Sequence, residues 1–347
     1  MKRHLLFLAA LLIVNLAASA QKKFSVYAVG FYNQENLFDT CHDEGKKDYE
    51  YLPNKGWNGM KYTNKLRNMS KALADMGTDV LPNVGCAFIG LAEVENHKVL
   101  DALVDQAPLK ARNMKYVHIE GPDRRGIDCA LLYNPSLFSV KNVKLVPYVQ
   151  ELAKDSAFFT RGFLTVRGDM AGDDVAVIVC HWPSRFSGPF YRESAARQVK
   201  VIKDSLLNVN QEMKIFVMGD MNDDPVNKSM HVYLQAKPEI SQVGAGDMYN
   251  PWYNVLAKEG KGTLFYSGNW NLFDQIVITP NLLNKDAKKK DYSSLKYWKS
   301  HIFRRDYLIQ QEGQYKGAPL RTTAGGRWLN GYSDHLPVVM YLVKEKR

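Results

Sequence analysis

The chain has 347 residues, of which 46% are hydrophobic and 24% are charged, and it contains 24 glycines and 14 prolines. These values exclude a disordered, collagen-like or coiled-coil protein, and the length allows one large domain or two smaller ones. The formal net charge of +10 favours an anionic partner without identifying it.

The first twenty residues have the pattern of an export signal. The basic pair Lys2-Arg3 precedes an apolar run over residues 5–14, and Ala18-Ser19-Ala20 offers the small side chains that a signal peptidase requires. The apolar run is short for a segment that spans a bilayer, so an uncleaved N-terminal anchor is the less favoured alternative. We predict a cleaved signal at residues 1–20, a secreted or periplasmic location without a stable membrane anchor, and one domain over residues 21–347.

Apolar runs of strand length dominate the rest of the chain, and several are continuous, as expected for strands covered on both faces. They are Phe24–Tyr32, Ala87–Ala92, Ala130–Tyr133, Phe163–Val166, Val175–Cys180, Ile215–Met218, Phe273–Ile278 and Leu336–Val343. Residues 66–76 and 195–206 instead repeat apolar side chains every three or four positions, which predicts helices. Since no repeat or linker divides the chain, we expect one domain of packed sheets with outer helices.

Four cysteines remain after removal of the signal, and export permits disulfides between them. They are Cys41, Cys86, Cys129 and Cys180. Their spacing matches neither a zinc site nor a redox motif. Cys129 and Cys180 lie inside apolar runs and are expected to be buried, and whether any pair forms a disulfide stays open.

Six polar segments lie where apolar runs begin or end, which is where a rigid sheet can present catalytic groups on its loops. The segments are Phe31–Asp39, Ile89–Asn96, Val179–Arg185, Val217–Asp223, Phe273–Ile278 and Tyr332–Pro337. Taken singly, each is a weak signal, because Asp and Asn at strand ends are usually turn formers.

In their order along the chain and in their residue types, the six segments together resemble the endonuclease/exonuclease/phosphatase superfamily. That superfamily includes deoxyribonucleases, abasic-site endonucleases, sphingomyelinases and inositol polyphosphate 5-phosphatases. The most specific pieces are Gly-Asp-Met-Asn at 219–222 and Ser-Asp-His-Leu-Pro at 333–337. The resemblance extends from Asn33 to His335. It implies a deoxyribonuclease-like four-layer α/β sandwich, with two mixed sheets packed face to face between outer helices, and hydrolysis of phosphoesters that depends on Mg²⁺, with Mn²⁺ or Ca²⁺ as alternatives.

The chemistry of the substrate explains why such a site needs a cation. A phosphodiester is anionic, so attack by water requires neutralised oxygen charge and an oriented water molecule. Mg²⁺ neutralises charge and is held by hard oxygen ligands. The resemblance implies Glu93 as the principal metal carboxylate, with Asn33 and Asp334 near the same ion or the phosphate. The alternative for Glu93 is a surface acid like Glu95.

Asp220 and Asn222 are two residues apart, and in extended backbone this spacing directs both side chains to one face. The resemblance places them at the scissile phosphate, where Asp220 orients the nucleophilic water and Asn222 binds a phosphate oxygen. An Asp-x-Asn turn is the alternative interpretation.

Histidine supplies a group that gains or loses a proton near neutral pH. The resemblance implies that Asp274 orients His335 and that His181 protonates or stabilises the leaving oxygen. Asp128 is a weaker candidate for the acid that partners His181, because its local spacing departs by one residue from the family's pattern. The acid and the base are not assigned among His181, Asp220 and His335.

Two groups of residues are candidates for contact with the substrate. Ser184 and Arg185 follow His181 closely enough to touch phosphate, although capping of the following helix would explain them equally well. The stretch from Lys285 to Trp328 contains eleven basic and only four acidic residues, with aromatic residues interleaved. This mixture suits phosphate contact and base stacking, and from it we select Lys288, Lys289 and Lys290. A solvated surface loop is equally compatible with the pattern.

Three classes of function are compatible with these residues. A secreted nuclease that cleaves DNA or RNA is favoured first. A phosphoesterase acting on a phospholipid head group or an inositol phosphate is second, with Trp298 and Phe303 as its membrane-contacting aromatics. A non-catalytic binding protein is third, since it requires the loss of a central residue and none is lost. No protein partner is predicted.

Overall fold

The computed structural model describes residues 23–151, 158–286 and 288–346, so the predicted signal at 1–20 lies outside the described residues. The strands are β1 (Phe24–Leu37), β2 (Cys86–Val94), β3 (Lys115–His118), β4 (Asp128–Tyr133), β5 (Phe138–Val146), β6 (Phe163–Met170), β7 (Asp173–His181), β8 (Lys214–Asp220), β9 (Ala236–Lys237), β10 (Met248–Tyr249), β11 (Leu264–Tyr266), β12 (Asn269–Asn271), β13 (Asp274–Ile278), β14 (Lys296–Ile302), β15 (Thr323–Ala324), β16 (Arg327–Trp328) and β17 (Val338–Glu345). The α-helices are α1 (Gly59–Asp75), α2 (His97–Val104), α3 (Ala107–Ala111), α4 (Pro189–Val209) and α5 (Trp252–Glu259). None of these helices is long and apolar enough to cross a membrane.

Most strands belong to two mixed sheets. The first has the order β14-β17-β1-β2-β4-β3, and the second has the order β5-β6-β7-β8-β13-β10-β9. β1 and β2 run parallel, and so do β7 and β8, so each pair presents its carboxyl ends side by side. β13 runs antiparallel to β8, which places Asp274 opposite Asp220, and β17 runs antiparallel to β1. All six polar segments therefore lie at the same end of the two sheets.

The two sheets pack face to face around an apolar core, which includes Phe31, Phe88, Phe216 and Met218. The ring of Phe88 contacts that of Phe216 with centroids 5.6 Å apart. A second apolar layer joins the outer face of the first sheet to α1, α2 and α3, and a third joins the second sheet to α4. The predicted four-layer α/β sandwich is confirmed.

The eight predicted strands and both predicted helices are present. β1 extends to Leu37 because its polar end stays in the sheet, whereas the apolar run ended at Tyr32. β5 and β14 were not predicted because they are edge strands whose charged residues interrupt any apolar run. The four cysteines are free thiols, of which Cys41 is exposed and the others are buried.

Gly219 provides a test of how the sheet positions Asp220. A β-carbon at Gly219 would lie 2.2 Å from the carbonyl oxygen of Cys180, a backbone atom of the neighbouring strand. We expect Gly219→Ala to lower the free energy of unfolding by about 1–3 kcal/mol in urea titrations, because β7 and β8 must separate. Gly59→Ala is the control, since an added β-carbon there meets nothing within 4 Å, and we expect a change of about 0.5 kcal/mol or less. Equal stability of the two variants would contradict the close contact.

Candidate active site

Asp220 is the point at which the two sheets meet. Its Oδ2 accepts a hydrogen bond of 3.0 Å from Asn33 Nδ2 on the opposite sheet. The same oxygen lies 3.6 Å from His181 Nε2 and 3.9 Å from His335 Nε2. Residues from three other predicted segments thus surround one buried carboxylate. Burial, together with the nearby charge of Asp274, raises the pKa of Asp220 to about 6 although His335 opposes this.

The predicted pairing of His335 with Asp274 is present. His335 Nδ1 lies 2.7 Å from Asp274 Oδ2, and both side chains are buried. Burial alone would lower the pKa of His335, but the charges of Asp274 and Asp220 outweigh it and raise that pKa well above its usual value. His335 is therefore an imidazolium at neutral pH, fixed so that Nε2 faces the site.

His181 has the opposite electrostatic environment. Burial lowers its pKa well below the usual value, and the positive charges of Arg161, Arg125 and His335 act in the same direction. Its Nδ1 has no hydrogen-bond partner among the described residues. His181 is therefore neutral at pH 7, so it can donate one hydrogen bond but carries no extra proton. The two histidines differ in charge although they face the same carboxylate.

A bulge in the first sheet delivers the acidic side chains. Between the pairs Asn33–Ala92 and Leu37–Val94, β1 has three residues where β2 has only Glu93. Glu93 adopts a positive φ of 61°, and Glu35 and Asn36 have φ values of 46° and 58°. Side chains other than glycine rarely adopt this backbone, and both bulges and such strain concentrate at functional sites. The bulge turns Glu93 towards the second sheet, where its Oε1 lies 3.8 Å from His181 Nε2.

Glu35 is a site residue that the sequence analysis missed. It is 5% exposed, and it accepts hydrogen bonds from Arg321 Nε at 3.0 Å and from the backbone of Thr322 at 2.6 Å. Burial and the charge of Asp334 raise the pKa of Glu35 to about 7 despite these contacts. A signal was available, because Glu35 is an ionisable residue in the polar segment that follows the apolar run ending at Tyr32, two positions after Asn33.

The oxygen atoms of this end of the site suit a hard divalent cation. The candidate donors Glu93, Asp334, Asn33 and Glu35 are carboxylates and one amide. Among the described residues, no group of three or more His, Cys, Asp or Glu side chains forms a ready cage for a metal. Mg²⁺ does not need one, because it commonly binds through one or two carboxylates and keeps several of its waters. The predicted magnesium ligands therefore fit Mg²⁺ or Mn²⁺ better than a structural zinc.

A cleft of about 250 Å³ opens onto these residues. Its walls include Glu93, His181, Asp220, Asn222 and His335, together with Arg125, Phe158, Phe159, Thr160, Arg161, Pro183, Ser184 and Ser187. Arg125 lies 3.8 Å from Glu93 and hydrogen-bonds the side chain of Asn36. The Nε of Arg161 and the hydroxyl of Thr160 are buried and have no partner among the described residues. The cleft thus combines a buried acid with two arginines and unused donors, which suits a phosphate group.

Asn222 and Arg185 differ from their predicted arrangement. The backbone is not extended beyond Asp220, because Asn222 has a φ of 49° and its backbone donates to Asp220 Oδ1 at 2.9 Å. Asn222 still lines the cleft, and its side chain donates to the Trp182 carbonyl at 2.9 Å. Arg185 donates to Asp224 at 2.8 Å and to the Asn222 carbonyl at 3.1 Å, so it braces this loop and does not line the cleft.

Ser184 lines the cleft, and its contact with phosphate stays a prediction. The alternative of helix capping is wrong for both Ser184 and Arg185, since Gly188 occupies the N-cap of α4 and no side chain caps this helix.

The predicted role of Asp128 is wrong. Asp128 Oδ2 lies 3.0 Å from His118 Nε2, and its Oδ1 accepts from the Gly121 backbone at 2.9 Å. It therefore does not partner His181, and it holds the loop that precedes Arg125.

The interpretation of Glu95 as a surface acid is wrong. It is only 3% exposed, and burial raises the pKa of Glu95 to about 8.

The predicted contact of Lys288, Lys289 and Lys290 with substrate is also wrong. The chain that follows them is tied to the start of β7, where the Leu295 backbone donates to Asp173 at 2.6 Å. β7 then runs about 26 Å from Asp173 to His181 at the usual rise per residue. The lysines lie at the opposite end of the sheets from the cleft. The later part of the basic stretch does reach the site, since Arg321 contacts both Glu35 and Asp334.

Comparison with known proteins agrees with this architecture. A family model described as "Endonuclease/Exonuclease/phosphatase family" matches residues 28–344, and the chain belongs to this family. No curated protein matches the sequence. Family membership supports phosphoester hydrolysis as the chemistry of the cleft.

Similar solved structures share the fold at low sequence identity. A mannosyl-6-phosphatase from Bacteroides thetaiotaomicron is 13% identical with a TM-score of 0.55, and the match covers 91% of this chain and 99% of that one. TDP2 from D. rerio, complexed with a single-strand DNA product, is 11% identical with a TM-score of 0.52, covering 92% and 99% of the two chains. An endonuclease/exonuclease/phosphatase family protein from Bacteroides thetaiotaomicron is 13% identical with a TM-score of 0.54, covering 93% and 97%.

Asp274→Asn tests the charge assigned to His335. In the wild type we expect kcat/KM to rise with pH through about pH 6 as Asp220 loses its proton, and to stay high above neutral pH because the pKa of His335 is raised. Without the Asp274 carboxylate, burial dominates and the pKa of His335 falls. The fall of kcat/KM at alkaline pH, which reports loss of the proton from His335, then begins at a lower pH, near neutrality. An alkaline limb at the same pH in both proteins would contradict a role for Asp274 in charging His335.

Lys288–Lys290 provide a second test. Replacing all three with Glu should leave kcat/KM at 0.15 M salt within about twofold, because the distance to the cleft exceeds the Debye length of about 8 Å. Arg125→Glu is the matched charge reversal inside the cleft, and we expect it to reduce kcat/KM by at least about tenfold. A large loss of activity in the triple variant would show that the basic stretch does bind substrate.

Proposed function

We propose that this protein is an exported, divalent-metal-dependent phosphodiesterase that cleaves nucleic acid. The observation that carries the choice is a second cleft of about 760 Å³ beside the catalytic one. Asp334 lines this second cleft, and its neighbour His335 lines the first. A substrate whose phosphate lies at His335 therefore has room to extend on both sides, which a diester needs.

The surfaces beside the two clefts combine aromatic and cationic side chains. Tyr266 and Tyr315 line the second cleft and are 66% and 53% exposed, with Arg327 in the same wall. On the other side Phe159 lines the catalytic cleft, and Phe186, two residues after Ser184, is 99% exposed. Exposed aromatic rings for bases and arginines for phosphates are the usual means by which proteins bind a single strand. This support does not depend on Lys288–Lys290.

The alternative of a phospholipid substrate depends on Trp298 and Phe303 as membrane-contacting aromatics, and the structure does not support that pair. Trp298 is half exposed on β14, but Phe303 is completely buried, so the two residues do not form an exposed aromatic pair. The mannosyl-6-phosphatase is named for a phosphomonoester substrate. The substrate panel below therefore includes a phosphomonoester as an alternative.

The residues of the cleft divide the chemistry between them. A divalent cation held by Glu93 would neutralise charge on the phosphate oxygens. Asp220, anionic above about pH 6, accepts the proton of the attacking water. His335, fixed by Asp274, places a positive charge and an N–H at Nε2 against the developing charge of the transition state, and it can pass that proton to the leaving oxygen as its bond to phosphorus breaks. His181 is neutral and donates a single hydrogen bond.

A substrate panel tests the proposal. Residues 21–347 with Mg²⁺ are incubated with single-stranded DNA, double-stranded DNA, RNA, sphingomyelin, inositol phosphates and a hexose 6-phosphate. We expect cleavage of nucleic acid that EDTA abolishes, and a loss of about 10²–10³ in kcat for His335→Ala because the transition state loses a buried charge. Lys290→Ala, at the far end of the sheets, is the control.

The outcomes of this panel separate the possible substrates. Turnover of the hexose 6-phosphate alone would replace the nuclease with a sugar phosphatase, and turnover of sphingomyelin alone would restore the lipid alternative. Activity that survives both EDTA and His335→Ala would refute the site itself.

A further inference from the structure

Arg321 forms hydrogen bonds with two carboxylates, those of Glu35 and Asp334, that are candidate ligands of a cation. Its Nε donates to Glu35 Oε1 at 3.0 Å, and its Nη2 donates to Asp334 Oδ2 at 3.2 Å. Burial would lower the pKa of Arg321, but Asp334, Glu35 and Glu93 together raise it. The guanidinium is thus the counter-charge for Glu35 and Asp334, both of which are candidate metal ligands.

The backbone at this position is held independently of the guanidinium. The Thr322 backbone donates to Glu35 Oε2 at 2.6 Å, and Thr322 Oγ1 accepts from the buried Lys65 Nζ at 2.6 Å. Lys65 also donates to the Tyr332 carbonyl at 2.5 Å, which joins α1 to the chain just before Asp334. Movement of the Arg321 side chain therefore does not require the loop to move.

The Arg321 side chain has a second environment within reach. It is 42% exposed, and it lines the 760 Å³ cleft together with Arg327 and Tyr315. The backbone of Arg321 is anchored, so its long side chain can rotate about its own bonds. In one position it contacts Glu35 and Asp334, and in the other it extends into the open cleft.

A divalent cation and a guanidinium compete for the same oxygen atoms. Mg²⁺ binds carboxylate oxygens at about 2.0–2.1 Å and demands near-octahedral geometry, whereas Arg321 takes one oxygen from each of Glu35 and Asp334 in a fixed, planar arrangement. Two positive groups held by the same carboxylates also repel each other.

We propose that Arg321 is an exchangeable counter-ion: it neutralises Glu35 and Asp334 until a divalent cation takes these carboxylates, and the cation then releases the guanidinium into the adjoining cleft. This inference rests on the metal dependence in the proposed function. It gives the second cleft an additional positive charge for an anionic substrate at the time when the cation is bound.

Direct cation binding tests the competition without any turnover. Mn²⁺ affinity is measured by the EPR signal of free Mn²⁺ at pH 8.0, above the pKa of about 7 of Glu35, with no substrate present. We expect Arg321→Met to bind Mn²⁺ about tenfold more tightly than the wild type, because a bonded and repelling charge is removed. Arg321→Lys, which keeps the charge but not the two-pronged contact, should fall between them. Arg327→Met removes a charge from the same cleft without touching either acid, and it should change the affinity by less than twofold.

A second measurement uses the wild-type protein, so it does not depend on the folding of any variant. Phenylglyoxal modification of each arginine is followed by mass spectrometry with and without Mn²⁺. We expect Mn²⁺ to increase the modification rate of Arg321 severalfold, because the guanidinium leaves its two carboxylates, and to leave Arg327 unchanged.

The results distinguish this inference from the proposed function. If the wild type binds Mn²⁺ but Arg321→Met binds it equally or more weakly, and Mn²⁺ does not expose Arg321, the exchange is refuted and the metal site stands. If the wild type binds no Mn²⁺ at all, both the metal site and the exchange are refuted.

Discussion

A buried hydrogen bond of 3.0 Å between Asn33 and Asp220 joins the ends of the two sheets, across 187 positions of sequence. It forms because two parallel strand pairs, one in each sheet, bring their carboxyl ends to the same end of the sandwich. Burying the Asp220 carboxylate at this end of the sandwich is costly, and the hydrogen bond from Asn33 offsets part of that cost. His181 and His335 lie 3.6 Å and 3.9 Å from the same Asp220 carboxylate.

The electrostatics of the site follow from the burial of several carboxylates close together. Asp220 and Glu35 each carry a pKa well above that of a free carboxyl, and His335 is held as a cation between Asp220 and Asp274. Lys65 and Arg321 supply further positive charge beside Glu35. Groups whose pKa values are separated in this way can divide the roles of base, charge stabiliser and metal ligand, which is the general reason that perturbed pKa values concentrate at active sites.

Much of the fold could be predicted from sequence, because continuous apolar strands and amphipathic helices leave a periodic signal. Edge strands such as β5 and β14 do not leave one, since charged residues on their exposed faces obscure the pattern. The pairing of His335 with Asp274 could be inferred only from the family resemblance, because 61 positions separate them. The linear charge of residues 285–328 was misleading, since Lys288–Lys290 precede the start of β14 at the far end of the sheets and β14 brings only the later part of the stretch towards the cleft. Arg125 and Arg161 gave no signal that distinguished them from other surface arginines.

The chemistry of the site depends on a hard cation bound by these acids where the catalytic cleft meets the second one, between Glu93 and Asp334. The most direct measurement is a crystal structure of the protein grown with Mn²⁺, with diffraction data collected at the manganese absorption edge. The account predicts one strong anomalous peak bounded by Glu93, Glu35 and Asp334, close to the end of β2. A peak confined to another acidic surface, such as the loop around Asp43 and Asp48, or no peak at millimolar Mn²⁺, would contradict it.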